Sequence, residues 1–543
     1  MPRLLIGPVL RHVGTTDATV FVETDAPCEV EILGCREQTW LAGGHHYALV
    51  TIEGLSPATA TPYDVRLDAE VVWPPPDSDR PPSRIRTLGG NDGQIRLAFG
   101  SCRHSREAAQ IGDKHFDADS LAAYARELAN QDENTWPDGI LMLGDQVYAD
   151  ETTEATQRRI RAKREVTKDG PGTEVADFEE YTWLYLESWT DPDVRWIMST
   201  IGTSMIFDDH DVRDDWNTSH EWREDMQKTS WWQDRIVGGL STYWIYQHLG
   251  NLSPDELREN HLYQKIRTHG ADVAGLLRDF AIQADREADG AKGTRWSYRR
   301  DFGRVRLLMI DSRCGRILAD GQRSMVSDDE FAWIEKQTDG DYDHLLIGTS
   351  LPWLLGKALH DLEAWDEVLC DGKRRKRVAR FGEWLRRAAD LEHWASFRKS
   401  FERLGELIAS VGRRANPPAS ICVLSGDVHH AYSAEVHFPQ PVTSRVYQLT
   451  CSPLHNYVPF VMKIAFRIFW SRFVERTLHL VLGLVAKVPS PSFTWTRLNG
   501  PFFGNEMAEI VAQGRQAYGV IRKAGPVKDN ARMDEVARVT LAA

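Results

Sequence analysis

Two glycine-aspartate pairs, Gly144-Asp145 in GDQVY and Gly426-Asp427 in GDVHH, each close a short apolar run. Between them in the chain, Met205-Ile206-Phe207 runs into Asp208-Asp209-His210-Asp211-Val212-Arg213-Asp214-Asp215, a dense group of carboxylates around one imidazole. Glycine before the acid permits close backbone approach at a strand end, and carboxylates crowded this way repel one another unless cations or arginines compensate. One Gly-Asp is ordinary turn chemistry. Two of them, with His429 and the Asp-rich run, are what a pair of metal ions needs. Carboxylate bridges two cations, neutral imidazole donates to one, and thiolate or phenolate suits the harder or more oxidised metal, for which Cys102 and Tyr148 stand at comparable places.

Two cations about 3.5–4 Å apart activate a hydroxide and bind two phosphoryl oxygens for in-line attack on phosphorus. His210 suits a general acid for the leaving alkoxide, against the competing roles of metal ligand or core histidine. Arg313 and Arg316 follow Asp311 in DSRCGR. A guanidinium there grips phosphate oxygens bidentately or pairs with the surplus carboxylates. Either Asp208 or Asp209 is expected to support the others without touching a metal.

These residues need a scaffold that gathers them. From residue 95, continuous apolar runs alternate with polar, helix-like segments, the pattern of buried strands with crossovers. IRLAFGSCR, GILMLGDQVY, SMIFDDHDV, VRLLMIDSR, HLLIGTSLPW and SICVLSGDVHH all end on a chemically active residue. Ligands bind beyond the carboxyl ends of parallel strands, which predicts one shared crevice. Residues before about 90 alternate with period two: Val30 and Ile32 against Glu29 and Glu31, and Tyr63, Val65 and Leu67 against Asp64, Arg66 and Asp68. That predicts a small β-sandwich, left through the proline-rich stretch 74–82. The tryptophans between Trp183 and Trp244 are expected to be core packing, and residues 371–388 a basic, solvated helical face.

The 543 residues suggest three domains, or two with large insertions, and 42% hydrophobic residues exclude a disordered chain. With 65 Lys+Arg against 79 Asp+Glu the net charge is −14, which argues against a nucleic-acid-binding module. Seven scattered cysteines and an N-terminus without a signal-peptide pattern point to reduced thiols and a cytoplasmic location. The apolar stretch 457–488 is interrupted by Lys463, Arg467, Arg472, Glu475, Arg476 and Lys487, which excludes a transmembrane helix and leaves a lid, a core hairpin or weak membrane-surface contact.

Taken together and in order, SCR, GDQVY, DDHDVRDDW, IDSR, LPW, AWD and SGDVH resemble the PhoD-like alkaline phosphatase family over residues 95–435. The resemblance implies an α/β metallophosphoesterase-like four-layer αββα sandwich preceded by a small immunoglobulin-like β-sandwich, with Fe3+ and Ca2+ as cofactors. Cys102, Asp145, Tyr148 and Asp427 match the family's iron ligands, with Asp145 shared with calcium. His429, Asp209 and Asp214 match its calcium segment, and Asp366 a WD element for a further calcium. DDHD replaces the family's DDHE, and Asp214 and Asp215 stand where it usually carries Asn, an added charge bearing on metal choice. The expected organisation is an N-terminal β-sandwich over 1–93, a catalytic domain over 94–455, and a helical segment with closing strands over 456–543. The implied activity is hydrolysis of a phosphoester substrate, monoester or diester, by a metal-activated hydroxide, with His210 as acid and Arg313 as clamp. The alternatives are a metal-binding scaffold without turnover and a peripheral membrane protein.

Overall fold

The computed structural model describes residues 1–90, 93–105, 116–290, 293–319, 322–370, 376–486, 488, 490–525 and 532–543. At the N-terminus one sheet is ordered Leu4–Val13, Asp17–Thr24, His45–Glu53, Trp40–Ala42, and a second Cys35–Gln38, Glu29–Ile32, Val65–Leu67, Glu70–Trp73. The period-two alternation sets the shared face. Val30, Ile32, Tyr63, Val65 and Leu67 pack in one cluster with Leu10, Val20, Val22 and Val50 of the first sheet.

The six apolar runs form six strands, divided between two larger sheets. Thr203–Ile206, Gly139–Leu143 and Gln94–Gly100 are parallel neighbours in a six-stranded sheet. Val305–Ile310, His344–Thr349 and Ser420–Ser425 are parallel neighbours in a seven-stranded sheet. Alternation explains why the central residues of these strands are apolar in succession: they enter one core or the other by turns. Leu97, Phe99, Leu141, Leu143 and Ile206 meet Leu307, Met309, Leu346, Cys422 and Leu424 in a cluster between the sheets. The intervening Ala98, Ile140, Met142 and Met205 pack outward on helices that include Ser120–Ala129 and Pro192–Thr200. On the other side, Leu308, Ile310, Ile347, Ile421 and Val423 pack with Phe331 of Asp328–Gln337 and with Phe401, Leu404 and Ile408 of Arg398–Gly412.

The closing strands complete both sheets. Glu506–Gln513 pairs antiparallel with Gln94–Gly100, with Gln94 opposite Gln513, and leads into Gln516–Ala524 and Met533–Ala542. Thr494–Phe502 forms the edge of the seven-stranded sheet. Trp216, Trp222, Trp232 and Trp244 are buried, as core aromatics should be. Residues 371–375 of the basic segment lie outside the described residues. The helix Lys376–Ala388 is not simply a solvated face, because Arg386 is buried against Asp366 at 3.1 Å. Among the described residues no helix is long and apolar enough to cross a membrane.

Candidate metal centre

The two Gly-Asp pairs lie where the large sheets touch at their carboxyl ends. A Cβ on Gly144, whose φ is +108°, would stand 2.7 Å from Asp208 Cβ. One on Gly426 would stand 2.1 Å from Ser101 Oγ and 3.1 Å from the Leu143 carbonyl, across the gap between the sheets. The Asp427 amide crosses that gap to donate to Ser101 Oγ at 3.0 Å, and within the six-stranded sheet the Cys102 amide donates to the Gly144 carbonyl at 3.1 Å. Cys102, Asp145, Asp427 and His429 all adopt left-handed backbone, with φ of 56°, 52°, 65° and 52°. That conformation is costly for residues with a Cβ and persists only where surrounding structure enforces it.

These turns aim the expected groups at one another. Ligand atoms of Asp145, Asp208, Asp209 and Asp427 lie within 4.8 Å of one another, and so do those of Asp145, Asp209 and His210. Tyr148 Oη donates to Asp145 Oδ2 at 3.4 Å, and Cys102 Sγ lies 3.6 Å from the Asp427 carbonyl oxygen. Asn456 Nδ2 donates to Tyr148 Oη at 2.8 Å and lies 3.4 Å from His429 Nε2, which brings His429 to the same place.

The electrostatics describe a nest short of positive charge. Burial, reinforced by neighbouring Asp208, Asp209 and Asp211, pushes the Asp145 carboxyl well above its ordinary range despite His210. Burial likewise raises Asp208 and Asp209 in spite of Arg313, and holds the Cys102 thiol and Tyr148 phenol protonated beside the acids. Asp145 Oδ1 and Asp208 Oδ2 are buried without a hydrogen-bond partner among the described residues. Orphaned carboxylate oxygens among oxygen, nitrogen and sulfur donors are what a cation site presents, so the residues fit bound metal. A cation would reverse these shifts, since a coordinating thiol is deprotonated outright.

Other expected residues occupy different roles. Arg313 is fully buried; its Nε pairs with Asp208, its Nη2 lies 3.1 Å from Asp209 and its Nη1 lies 2.5 Å from Glu392. The guanidinium therefore neutralises surplus carboxylates, the second of the two roles open to it, and is not placed as a phosphate clamp. Asp214 stands outside both carboxylate groups. Its side chain is 62% exposed and lies 3.9 Å from His210 Nε2, because the turn after Asp209 directs it to solvent. Asp366 is also outside both groups, since its helix Lys357–Cys370 hands it to Arg386. Asp211 supports its neighbours: its carboxylate accepts from the amides of Asp145, Gln146, Val147 and Asp208 and from Gln247 Nε2 at 2.9–3.3 Å. Asp311 caps its own turn, accepting from the amides of Arg313, Cys314 and Gly315.

Several partners are absent from the sequence expectations. Asp150 holds His210 Nδ1 at 2.9 Å; it lies in the same GDQVYAD turn, a signal that was available. Burial works against the His210 imidazolium, but Asp150, Asp209 and Asp145 outweigh it and hold the ring protonated. His393 Nε2 lies 2.9 Å from Asp427 Oδ2, and its Nδ1 lies 2.6 Å from buried Glu363. His104 stacks on Tyr148 at 3.6 Å between ring centres. No local pattern marks His393, Glu363 or His104.

Residues 1–85 match a domain of unknown function, DUF7800. No curated protein matches the chain in direct sequence comparison. Among solved structures, one titled "Structure of PhoD" is similar with a TM-score of 0.60 at 12% identity, over 99% of this chain and 90% of that one, a likeness of fold. The PhoD-like phosphatase family matches residues 108–461, well over half the chain, in the region that supplies all four clustered carboxylates. The chain belongs to the PhoD-like phosphatase family.

Proposed function

We propose that this protein is a metal-dependent phosphoric ester hydrolase acting on monoesters, diesters or both. The observation that carries the reading is the pair of overlapping carboxylate groups, with donor atoms within 4.8 Å and buried oxygens left unpaired. Cys102, Asp145, Tyr148 and Asp427 would hold Fe3+, and Asp145, Asp209 and His429 would hold Ca2+. Bound there, the cations would supply charge for phosphoryl oxygens and acidify water. The chain's own residues do the rest. Asp145 belongs to both carboxylate groups, Arg313 balances Asp208 and Asp209 so that they can be buried together, and Asp211 fixes the loops that carry Asp145 and Asp208. Asp150 keeps the proton on His210 Nδ1, which leaves Nε2 to deliver a proton to the leaving alkoxide.

The same reading assigns residues 94–455 with the closing strands to a four-layer αββα sandwich, on the strength of the three apolar clusters, and residues 1–93 to an immunoglobulin-like sandwich. It also keeps the cytoplasmic location. Elemental analysis of untreated protein alongside p-nitrophenyl phosphate and its bis ester tests the function. Iron and calcium with turnover of either ester are expected, together with a visible Tyr148-to-iron charge-transfer band. Metal without turnover of either ester would favour the scaffold reading. Zinc or manganese alone would remove the iron assignment and leave hydrolysis standing.

A further inference from the structure

The helices Phe460–Phe469 and Arg472–Ala486 form a hairpin that the phosphatase chemistry does not use. Among the described residues most large apolar side chains are buried, yet six on the hairpin are exposed. Val461, Ile464 and Ile468 follow one another at helical spacing on the first helix, and Phe473, Leu480 and Val481 do so on the second. Val461 is 75% exposed and Phe473 77%, so they are not partly covered core residues. Such a patch marks a surface that meets something other than water.

Charge narrows the occupant. The net charge of the chain is −14, yet the two helices carry Lys463, Arg467, Arg472 and Arg476 against Glu475 alone. Arg467 and Arg476 are exposed on the same hairpin as the apolar residues. Apolar stripes with cationic neighbours suit an anionic lipid surface, where the stripe enters the acyl boundary and each Lys or Arg near the headgroups adds attraction. As described, neither helix is long and apolar enough to cross a membrane. The hairpin is also tied to the metal centre. Trp470 Nε1 donates to His430 Nε2 at 3.1 Å, one residue from His429, and Asn456, four residues before the first helix, holds Tyr148.

We propose that this hairpin docks the protein on an anionic bilayer, with the metal centre beside the surface. The docking rests on exposure and charge and stands whether or not the phosphatase reading does.

Co-sedimentation of the full-length protein with vesicles of phosphatidylcholine, and of equimolar phosphatidylcholine and phosphatidylglycerol, tests it. The expected result is at least about tenfold stronger partition onto the mixed vesicles, weakened by salt. Val461→Asp with Phe473→Asp should abolish that partition without moving the melting curve, because both side chains are already in water. Arg467→Gln with Arg476→Gln, a milder pair, should remove the preference for anionic lipid. Absence of wild-type binding to the mixed vesicles would overturn the proposal, as would equal partition onto both compositions or unchanged binding of a folded aspartate variant. A concentration-dependent dimer in sedimentation velocity that the aspartate pair abolishes would give the face to a second copy of the chain and also overturn it.

Discussion

Two buried carboxylates near Cys102 show opposite solutions to the same problem. Asp119 is matched group for group. Its Oδ2 accepts from Arg103 Nε and Nη2 at 3.1 and 2.7 Å, and its Oδ1 accepts from the amides of Leu121 and Ala122 at the start of Ser120–Ala129. Burial opposes its charge, but Arg103 wins and the carboxyl sits below its ordinary range. Asp145 has Asp208, Asp209 and Asp211 around it, an unpartnered oxygen, and a carboxyl held well above that range. A satisfied buried acid builds the fold, whereas an unsatisfied cluster awaits a cation.

The largest expected effect separates the two sites by activity. Asp145→Asn or Asp427→Asn should abolish phosphoester turnover and lower bound metal while the circular dichroism spectrum is kept; normal activity in either purified variant would remove the dinuclear reading. Asp119→Ala should do the reverse. It leaves Arg103 buried without its partner and should cost about 3–5 kcal/mol in denaturant unfolding with metal content unchanged. His393→Gln, which loosens Asp427 without touching the other donors, should lower metal affinity or activity about tenfold to a hundredfold. Equilibrium dialysis at several metal concentrations measures it, and wild-type affinity would make the contact incidental.

The two sites also predict opposite pH dependence. Burial, opposed by its amide partners, holds Asp211 at about 7 against an ordinary 3.8. Folding therefore favours its protonated form, and that contribution is complete below 3.8 and lost as pH rises through 7. Asp119 runs the other way, stabilising above 3.8 and losing its contribution as pH falls through its lowered value. Metal-stripped protein should thus melt at falling temperature from about pH 5 to about pH 8, and added Ca2+ should flatten the slope. A melting temperature that rises over that range without metal would contradict the charge excess. The smallest effect belongs to exposed Asp214. Asp214→Asn, the residue the family usually carries, should change turnover by no more than about twofold and stability by about 0.5 kcal/mol or less.

Residues that end strands were readable because a continuous apolar run halting at an acid is a local pattern. Asp145, Asp427, Cys102 and the Asp208–Asp209 pair were visible that way, and so was the alternation of Val30, Ile32, Val65 and Leu67. Membership of a sheet is not local. Nothing along IRLAFG or SICVLS says that the first pairs with Glu506–Gln513 and the second with Arg445–Thr450. The partners that tune the centre arrive from elsewhere: Glu363 from inside a helix, His393 from just before a short 3-10 turn, and Asn456 from the segment leading into the hairpin. Arg313 was legible as a residue but not as a role, because its environment depends on Asp208 and Glu392 meeting it in space.

The pinch at Gly426 divides what can change in this protein from what cannot. There the main chain of one sheet presses directly on Ser101 of the other, so the width of the cradle is a backbone dimension with no rotamer to absorb an intruding methyl. An alanine at that position would wedge the layers apart and misplace every donor at once.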